Sequence, residues 1–369
     1  MNIKPTKWQH YELWILMSVL ILMIFGIAEI QSAIAGSIEL ANHAQRQLVF
    51  GIVGILVMFI ISNIDYSFWA SVDRYLYISI VLALFILNTV ASAVFGASRW
   101  FKFLTINIQP AELSKIVLIL VLANYFARNQ NRTREISIIL RSLLIAMGII
   151  VWVLIQPSLS NSIILIVIWF SLLWASGLSL KHLALFITGG MILAIFIIPL
   201  LIQSGVVHEY QIARVTAFLF PDPSSSYGDN FNVQQALISI GSGGFWGQGY
   251  GHGSQVQLRF LKIRHSDFIF SAIANEFGFA GAFFILILLL YLVLRCLRVA
   301  RLARDTYGGL IAYGVAVLLA VQSIINIGVN LNLIPATGIT LPFVSYGGSS
   351  LVTNLIGIGI VESVVIHRN

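Results

Sequence analysis

Asp267 sits where a long polar segment, 203–264, runs through His265-Ser266 into an apolar stretch that opens Phe268-Ile269-Phe270. An ionisable group at a membrane boundary costs free energy, so it marks a functional site by default. A carboxylate placed there can take the proton of an attacking hydroxyl, the work of a general base. From the residues alone, the same acid reads equally as a helix N-terminal residue stabilised by the dipole and by capping.

A second cluster is Gln109-Pro110-Ala111-Glu112-Leu113-Ser114-Lys115. Pro110 suits the first turn of a helix, where its missing N–H is no loss. Helical spacing then brings Gln109, Glu112 and Lys115 onto one face. In a membrane helix Glu112 and Lys115 face each other or a polar cavity, because lipid penalises both. One reading is a charge pair that only holds helices together. The other is a polar cavity for a substrate head group, with Arg99 of Gly96-Ala97-Ser98-Arg99-Trp100 at its mouth.

The polar segment carries Arg214 and glycines at 241, 243, 244, 247, 249, 251 and 253. Such glycines let backbone amides approach an anion such as a diphosphate, or they are plain loop glycines. Gln156-Pro157-Ser158-Leu159-Ser160-Asn161 reads as a tight turn. Pro335, Gly338, Pro342, Gly347 and Gly348 cannot share one regular helix. Irregular backbone at membrane depth is tolerated only where it is buried in protein or lines a wet cavity. The segment 334–350, with Ser345 and Tyr346, is therefore expected to border the site.

The elements that must position these residues are membrane spans. Of 369 residues 59% are hydrophobic and 9% charged, where a soluble domain carries about 25% charged residues. Apolar runs near 13–30, 48–64, 75–95, 111–126, 139–155, 162–174, 183–202, 268–294, 308–331 and 349–366 are long enough to cross a bilayer. The fold class is thus an all-α polytopic transmembrane bundle of about ten spans, read as a single domain over 1–369, with 203–266 as its large outer loop. Strand alternation is absent, which argues against a β-barrel.

Lys4, Lys7, the arginines at 128, 132, 134 and 141, Lys181, the arginines at 295, 298, 301 and 304, and Arg368 all fall on one side of such a bundle. The positive-inside rule makes that side cytoplasmic, with both termini inside and the 203–266 loop outside. The net charge of +7 is then mostly topology, not a nucleic-acid surface. Ala33-Ile34-Ala35 resembles a signal-peptidase site, but the apolar run before it is longer than a usual signal core, so a retained helix is expected. The single cysteine, Cys296, cannot form an internal disulfide, and no Cys/His metal spacing is present.

Taken together and in order, Arg99-Trp100, Gln109-Pro110-Ala111-Glu112-Leu113-Ser114-Lys115, Gly241-Ser242-Gly243-Gly244, His265-Ser266-Asp267-Phe268-Ile269-Phe270 and Leu341-Pro342-Phe343-Val344-Ser345-Tyr346-Gly347-Gly348-Ser349-Ser350 resemble the SEDS family (shape, elongation, division and sporulation). The stretch Trp246-Gly247-Gln248-Gly249-Tyr250-Gly251-His252-Gly253 and Arg264 before His265 look like its elongation branch, RodA, more than its division branch, FtsW. The resemblance covers nearly the whole chain.

It implies a peptidoglycan glycosyltransferase of the bacterial cytoplasmic (inner) membrane, serving cell-wall elongation and cell shape. Such an enzyme polymerises lipid II into undecaprenyl-diphosphate-linked glycan on the outer face, beside a class B penicillin-binding protein. The family's essential acid maps onto Asp267, its helix-borne pair onto Glu112 and Lys115. Substrate binding is expected at Arg99, Gln109, Glu112, Lys115, Arg214, His265, Ser345 and Tyr346. The leaving diphosphate needs positive charge, for which Arg214, Arg99, Lys115 or a divalent cation (Mg or Mn) qualify; no organic cofactor is expected.

The chain departs from the family pattern at Ser158, where Asp is usual, at Ser160-Asn161 for Gly-Thr, at Lys262-Ile263 for Pro-Glu, at Asn275 for the first of two glutamates, and at Asn332 for Gly. Two other functions suit a ten-span bundle: a flippase for lipid-linked sugars, favoured by an inverted repeat that the sequence does not display, and a non-catalytic scaffold for a transpeptidase, which would tolerate loss of Asp267.

Overall fold

The computed structural model describes residues 11–38, 40–91, 101–103, 106–132, 135–156, 158–178, 188–189, 209–220 and 229–368. In chain order the helices are α1 (Leu13–Ala33), α2 (His43–Asn63), α3 (Ser67–Ile86), α4 (Pro110–Arg128), α5 (Ile136–Ile155), α6 (Leu159–Ala175), α7 (Glu209–Leu219), α8 (Asp229–Gly243), α9 (Ser254–Gln257), α10 (Ile269–Leu302), α11 (Thr306–Asn330) and α12 (Gly348–Ile366). A π-helical turn, Leu87–Ala91, extends α3, and β1 (Phe101–Phe103) pairs antiparallel with β2 (Ile106–Ile108) just before α4. Eight of the described helices are long and apolar enough to cross a membrane, and α6 is a shorter apolar helix. Of the predicted span at 183–202 all but residues 188–189 lie outside the described residues.

Observed and expected bounds differ most at α3, which begins at Ser67 rather than near residue 75. Asp73 and Arg74 precede the expected span, yet the helix runs through them, and Asp73 accepts a 2.6 Å hydrogen bond from Asn124 of α4. The polar segment before Asp267 is also more ordered than its composition implies. Its described part holds α7, α8 and α9, and α8 packs Val233 and Ala236 into a small apolar cluster with Phe268 and Ala272.

The spanning helices are not equally enclosed. α4 and α12 are each 78% buried, against 17% for α3, so polar groups on α4 and α12 are held inside protein rather than lipid. α12 packs chiefly on α2. A Cβ at Gly359 would lie 2.7 Å from the Met58 carbonyl oxygen, which is the close backbone approach that small residues permit between membrane helices.

α10 is broken in its N-terminal third at Gly278, whose φ of 67° and ψ of −165° are not helical. The backbone groups released there are taken up by the glycine-rich loop. Phe279 and Ala280 donate to the carbonyls of Gly244 and Phe245, while Gln248 and Gly249 donate to those of Asn275 and Glu276. The loop thus mends the helix ladder, as buried backbone groups require.

Candidate functional site

A cavity of about 610 Å³ opens at one end of the bundle. Its wall brings together Arg46 of α2, Gln109 and Glu112 at the start of α4, Ser158 with the first turn of α6 (where a tight turn was expected from sequence, the helix begins at Leu159), Arg214 of α7, Asp267, and the irregular segment between α11 and α12. That end is opposite the one carrying Arg128, Arg295 and Arg368, because α4 and α10 run from the first to the second.

Asp267 lies in a turn two residues before α10, whose N-cap is Phe268 with no side-chain cap. It is therefore not the capping residue that spacing alone allows. Its Oδ1 accepts from Ser266 Oγ at 3.0 Å. A Cβ at Gly338, where φ is +72°, would stand 3.5 Å from Oδ2; a side chain there would be both strained and against the acid.

The turn itself is held through its backbone. Asn326 and Asn330 of α11 donate to the Asp267 carbonyl at 3.1 and 2.9 Å. Ser345 Oγ donates to the Ser266 carbonyl at 2.7 Å, and the Tyr346 N–H to the His265 carbonyl at 2.9 Å. Gln47 of α2, buried, donates to the Ser345 carbonyl and accepts from the Gly347 N–H.

Glu112 and Lys115 meet as a 2.8 Å ion pair. Lys115 has no exposed surface, and its Nζ also donates to Asn161 Oδ1 at 3.2 Å. Asn161 in turn donates to Ser158 Oγ, and Ser160 Oγ to the Thr337 carbonyl. Lys115 thus stands behind the wall, while Glu112 is on it with an Oε2 that has no partner among the described residues.

Of the residues expected to bind substrate, Gln109, Glu112, Arg214 and Tyr346 line the cavity with Asp267. Arg99 lies outside the described residues. Ser345 is buried and serves the backbone of the Asp267 turn. His265 packs its ring edge-on to His43, centroids 5.4 Å apart, and beside Tyr346. Burial, then the neighbouring His43 and Arg264, push its pKa down to about 4, so at neutral pH it is an uncharged packing ring. The glycines of 241–253 are not on the wall; their loop is spent on α10, and Gly251 donates to Glu276.

Three contributors were given no role from sequence, although Asn326 stands ahead of the segment expected to border the site. Arg46 lines the cavity beside the Tyr346 hydroxyl, a phenol whose pKa burial raises and Arg46 partly restores. Asn326 and Asn330 are buried amides at i and i+4 on one face of an apolar helix. That spacing was the available signal, since polar groups inside a span need partners.

The departures from the family pattern sort by place. Ser158, Ser160 and Asn161 line the cavity. Asn275 donates to Ser242 Oγ and the Ser239 carbonyl, tying α8 to α10 rather than facing the site. Glu276 accepts from Ser32 Oγ, the Gly251 N–H and Gln257. Asn332 adopts φ +54°, a left-handed conformation that asparagine tolerates better than most residues.

The model of the FtsW/RodA/SpoVE cell cycle proteins matches residues 8–369. The chain belongs to this family. Among its relatives, the probable peptidoglycan glycosyltransferase FtsW of Trichlorobacter lovleyi is 34% identical over 372 residues, covering 98% of this chain and 94% of the relative. The peptidoglycan glycosyltransferase MrdB of Escherichia coli K12 is 34% identical over 374 residues, covering 99% and 96%. A solved chain from a peptidoglycan synthase complex that coordinates polymerisation and crosslinking superposes with a TM-score of 0.80 at 26% identity, over 97% of this chain and 99% of that one. The rod shape determining protein RodA of Thermus thermophilus superposes with a TM-score of 0.70, also at 26% identity, over 98% of both chains. The family fold, and with it the helical membrane architecture, is thus shared over nearly the whole chain.

Proposed function

We propose that this chain polymerises lipid II into glycan strands on the outer face of the bacterial cytoplasmic membrane, as a peptidoglycan glycosyltransferase of the elongation branch. The observation that carries the reading is Asp267 on the wall of a polar cavity shared with two arginines, at the end of the bundle opposite its basic loops. The names of the relatives support the reaction class. The positive-inside rule supports an extracytoplasmic cavity and cytoplasmic termini.

In this mechanism the 4-hydroxyl of the acceptor sugar attacks the anomeric carbon of the donor. Asp267 takes the hydroxyl proton as the new C–O bond forms. The bond from the anomeric carbon to the undecaprenyl diphosphate breaks, and its electron pair leaves with the diphosphate. Attack and departure are in one displacement, so configuration inverts and no covalent sugar–enzyme intermediate forms. Arg46 and Arg214 face the growing negative charge. Lys115 is committed to Glu112 and Asn161, so its role is to fix Glu112 rather than to meet the diphosphate.

A cation such as Mg or Mn, held by one or two carboxylates together with substrate phosphates, would neutralise diphosphate charge. Among the described residues no group of three acidic, histidine or cysteine side chains is gathered for a metal; Glu112 and Asp267, both on the wall, are the carboxylates that would serve the sparser kind of site. Lipid tails remain in the bilayer while sugars react at its surface. The partner proposed is a class B penicillin-binding protein, by analogy with the crosslinking synthase complex.

The test is strand synthesis from purified lipid II, with and without the cognate transpeptidase, beside Asp267→Asn. Polymer is expected from the wild type, with a loss of about 10³-fold or more in the variant, near the upper range for removing a general base. Equal synthesis by a well-folded Asp267→Asn protein would refute the reading.

A further inference from the structure

In a regular α-helix the Ser271 N–H would donate to the carbonyl four residues back, which is that of Asp267. It does not. Asn330 stands between them: its Nδ2 donates to the Asp267 carbonyl at 2.9 Å, and its Oδ1 accepts from the Ser271 N–H at 3.0 Å and from Ser271 Oγ at 2.6 Å. The first regular bond of α10 is accordingly one residue later, from Ala272 to the Phe268 carbonyl.

Asn326, one turn earlier on α11, extends the bridge. Its amide donates to the Asp267 carbonyl at 3.1 Å and to the Ile339 carbonyl at 2.7 Å. Asn330 Nδ2 also donates to the Asn326 carbonyl at 2.8 Å. Two amides on one helix therefore fasten the Asp267 turn and the segment carrying Gly338 to a common base. Both are essentially without exposed surface, so no water shares these bonds from the bulk.

We infer that Asn326 and Asn330 are positioning residues of the polymerisation reaction, holding Asp267 outside the first turn of α10 so that its carboxylate meets the cavity at a fixed distance from the Gly338 segment. The inference rests on the proposed role of Asp267. An apolar residue at 330 removes the wedge and frees the Ser271 N–H and the Asp267 carbonyl to close the regular helical bond. Asp267 is then drawn toward α10, and its carboxylate leaves the acceptor hydroxyl. Displacement of a reacting group by about 1 Å costs on the order of 10²-fold.

The experiment compares Asn330→Leu and Asn326→Leu with wild type and Asp267→Asn, in the presence of the cognate transpeptidase. Lipid II polymerisation is read as kcat and KM, and thermal unfolding of the detergent-solubilised complex reports folding. The expected result is a kcat about 10- to 100-fold lower in both Asn variants, with KM within about twofold, because Arg46, Gln109, Glu112 and Arg214 on the cavity wall are not held by these amides. Should either variant fold poorly, Asn326→Asp provides a polar substitute that keeps shape and loses the neutral donor, and it is expected to lower kcat in the same way.

A fall in activity that merely follows the folded fraction, or a rise in KM with kcat unchanged, would make the amides structural and overturn the inference. Wild-type kcat in well-folded Asn330→Leu, with Asp267→Asn inactive, would overturn the positioning role alone. Polymer from Asp267→Asn as well would remove the role of Asp267 and the inference with it.

Discussion

The two acids of the cavity are held in opposite ways. Glu112 is fixed by its side chain, through an ion pair to Lys115, a cation with no exposed surface of its own. Asp267 is fixed by its main chain, whose carbonyl takes two amide hydrogen bonds from α11 while its carboxylate faces the cavity beside Ser266. The first arrangement commits a charge to structure. The second places a carboxylate by gripping the backbone that carries it. In the proposed mechanism this pair of acids on one wall divides into an organiser, Glu112, and a reagent, Asp267.

The sharpest way to break this contrast is to neutralise each acid's grip in turn. Asp267→Asn is expected to abolish polymerisation while leaving thermal stability nearly unchanged. Lys115→Met does the reverse in kind: it strands the buried Glu112 carboxylate, and breaking such a pair costs about 3–5 kcal/mol. A large fall in the unfolding temperature is expected there, with activity lost along with the fold. A Lys115→Met protein as stable as wild type would show that the pair is not the structural member.

Arg46→Gln tests the cationic side of the same wall. Loss of a charge-assisted hydrogen bond to the diphosphate, about 1.5–3 kcal/mol, should weaken lipid II binding by roughly 10- to 100-fold, read directly as Kd. Unchanged affinity would assign the diphosphate to Arg214 or to a cation instead.

The smallest effect concerns His265, packed behind the Asp267 turn. Its pKa is near 4 in the fold against about 6.5 when unfolded. Between those values the unfolded chain binds more protons than the folded one, so stability rises with pH across that window and levels off above it. The unfolding midpoint should therefore fall on acidification from about pH 6.5 toward 4, and His265→Gln should flatten that slope. An unchanged slope in His265→Gln would show that other groups govern the acid response.

Much of this was legible in the residues. Apolar runs mark the spans because a bilayer admits few alternatives. Asp267, Glu112 and Lys115 stood out because charges are scarce inside them. The irregular 334–350 segment was placed at the site by its prolines and glycines, and it does line the cavity. Other readings of the same kind met a different fate. The glycines of 241–253 supplied amides, but to the carbonyls exposed by the break at Gly278 rather than to the cavity. His265, adjacent to the key acid, faces His43 and Tyr346. Arg46, in the first turn of a span, carries no local mark of membership in a site 221 positions away from Asp267 (267 − 46).

The sequence by itself determined a helical membrane protein, the side of its basic loops, and the acids worth attention, since hydrophobic length and the cost of buried charge are local properties of the chain. Tertiary structure alone decided which atoms of those acids are held. Asn330 can stand between Asp267 and Ser271 only because α11 lies against the start of α10. Lys115 can be withdrawn from the cavity only because the first turn of α6 offers it Asn161. Hydrogen bonds are short and directional, so which groups meet depends on ångström-scale placement of helices that neither composition nor spacing encodes.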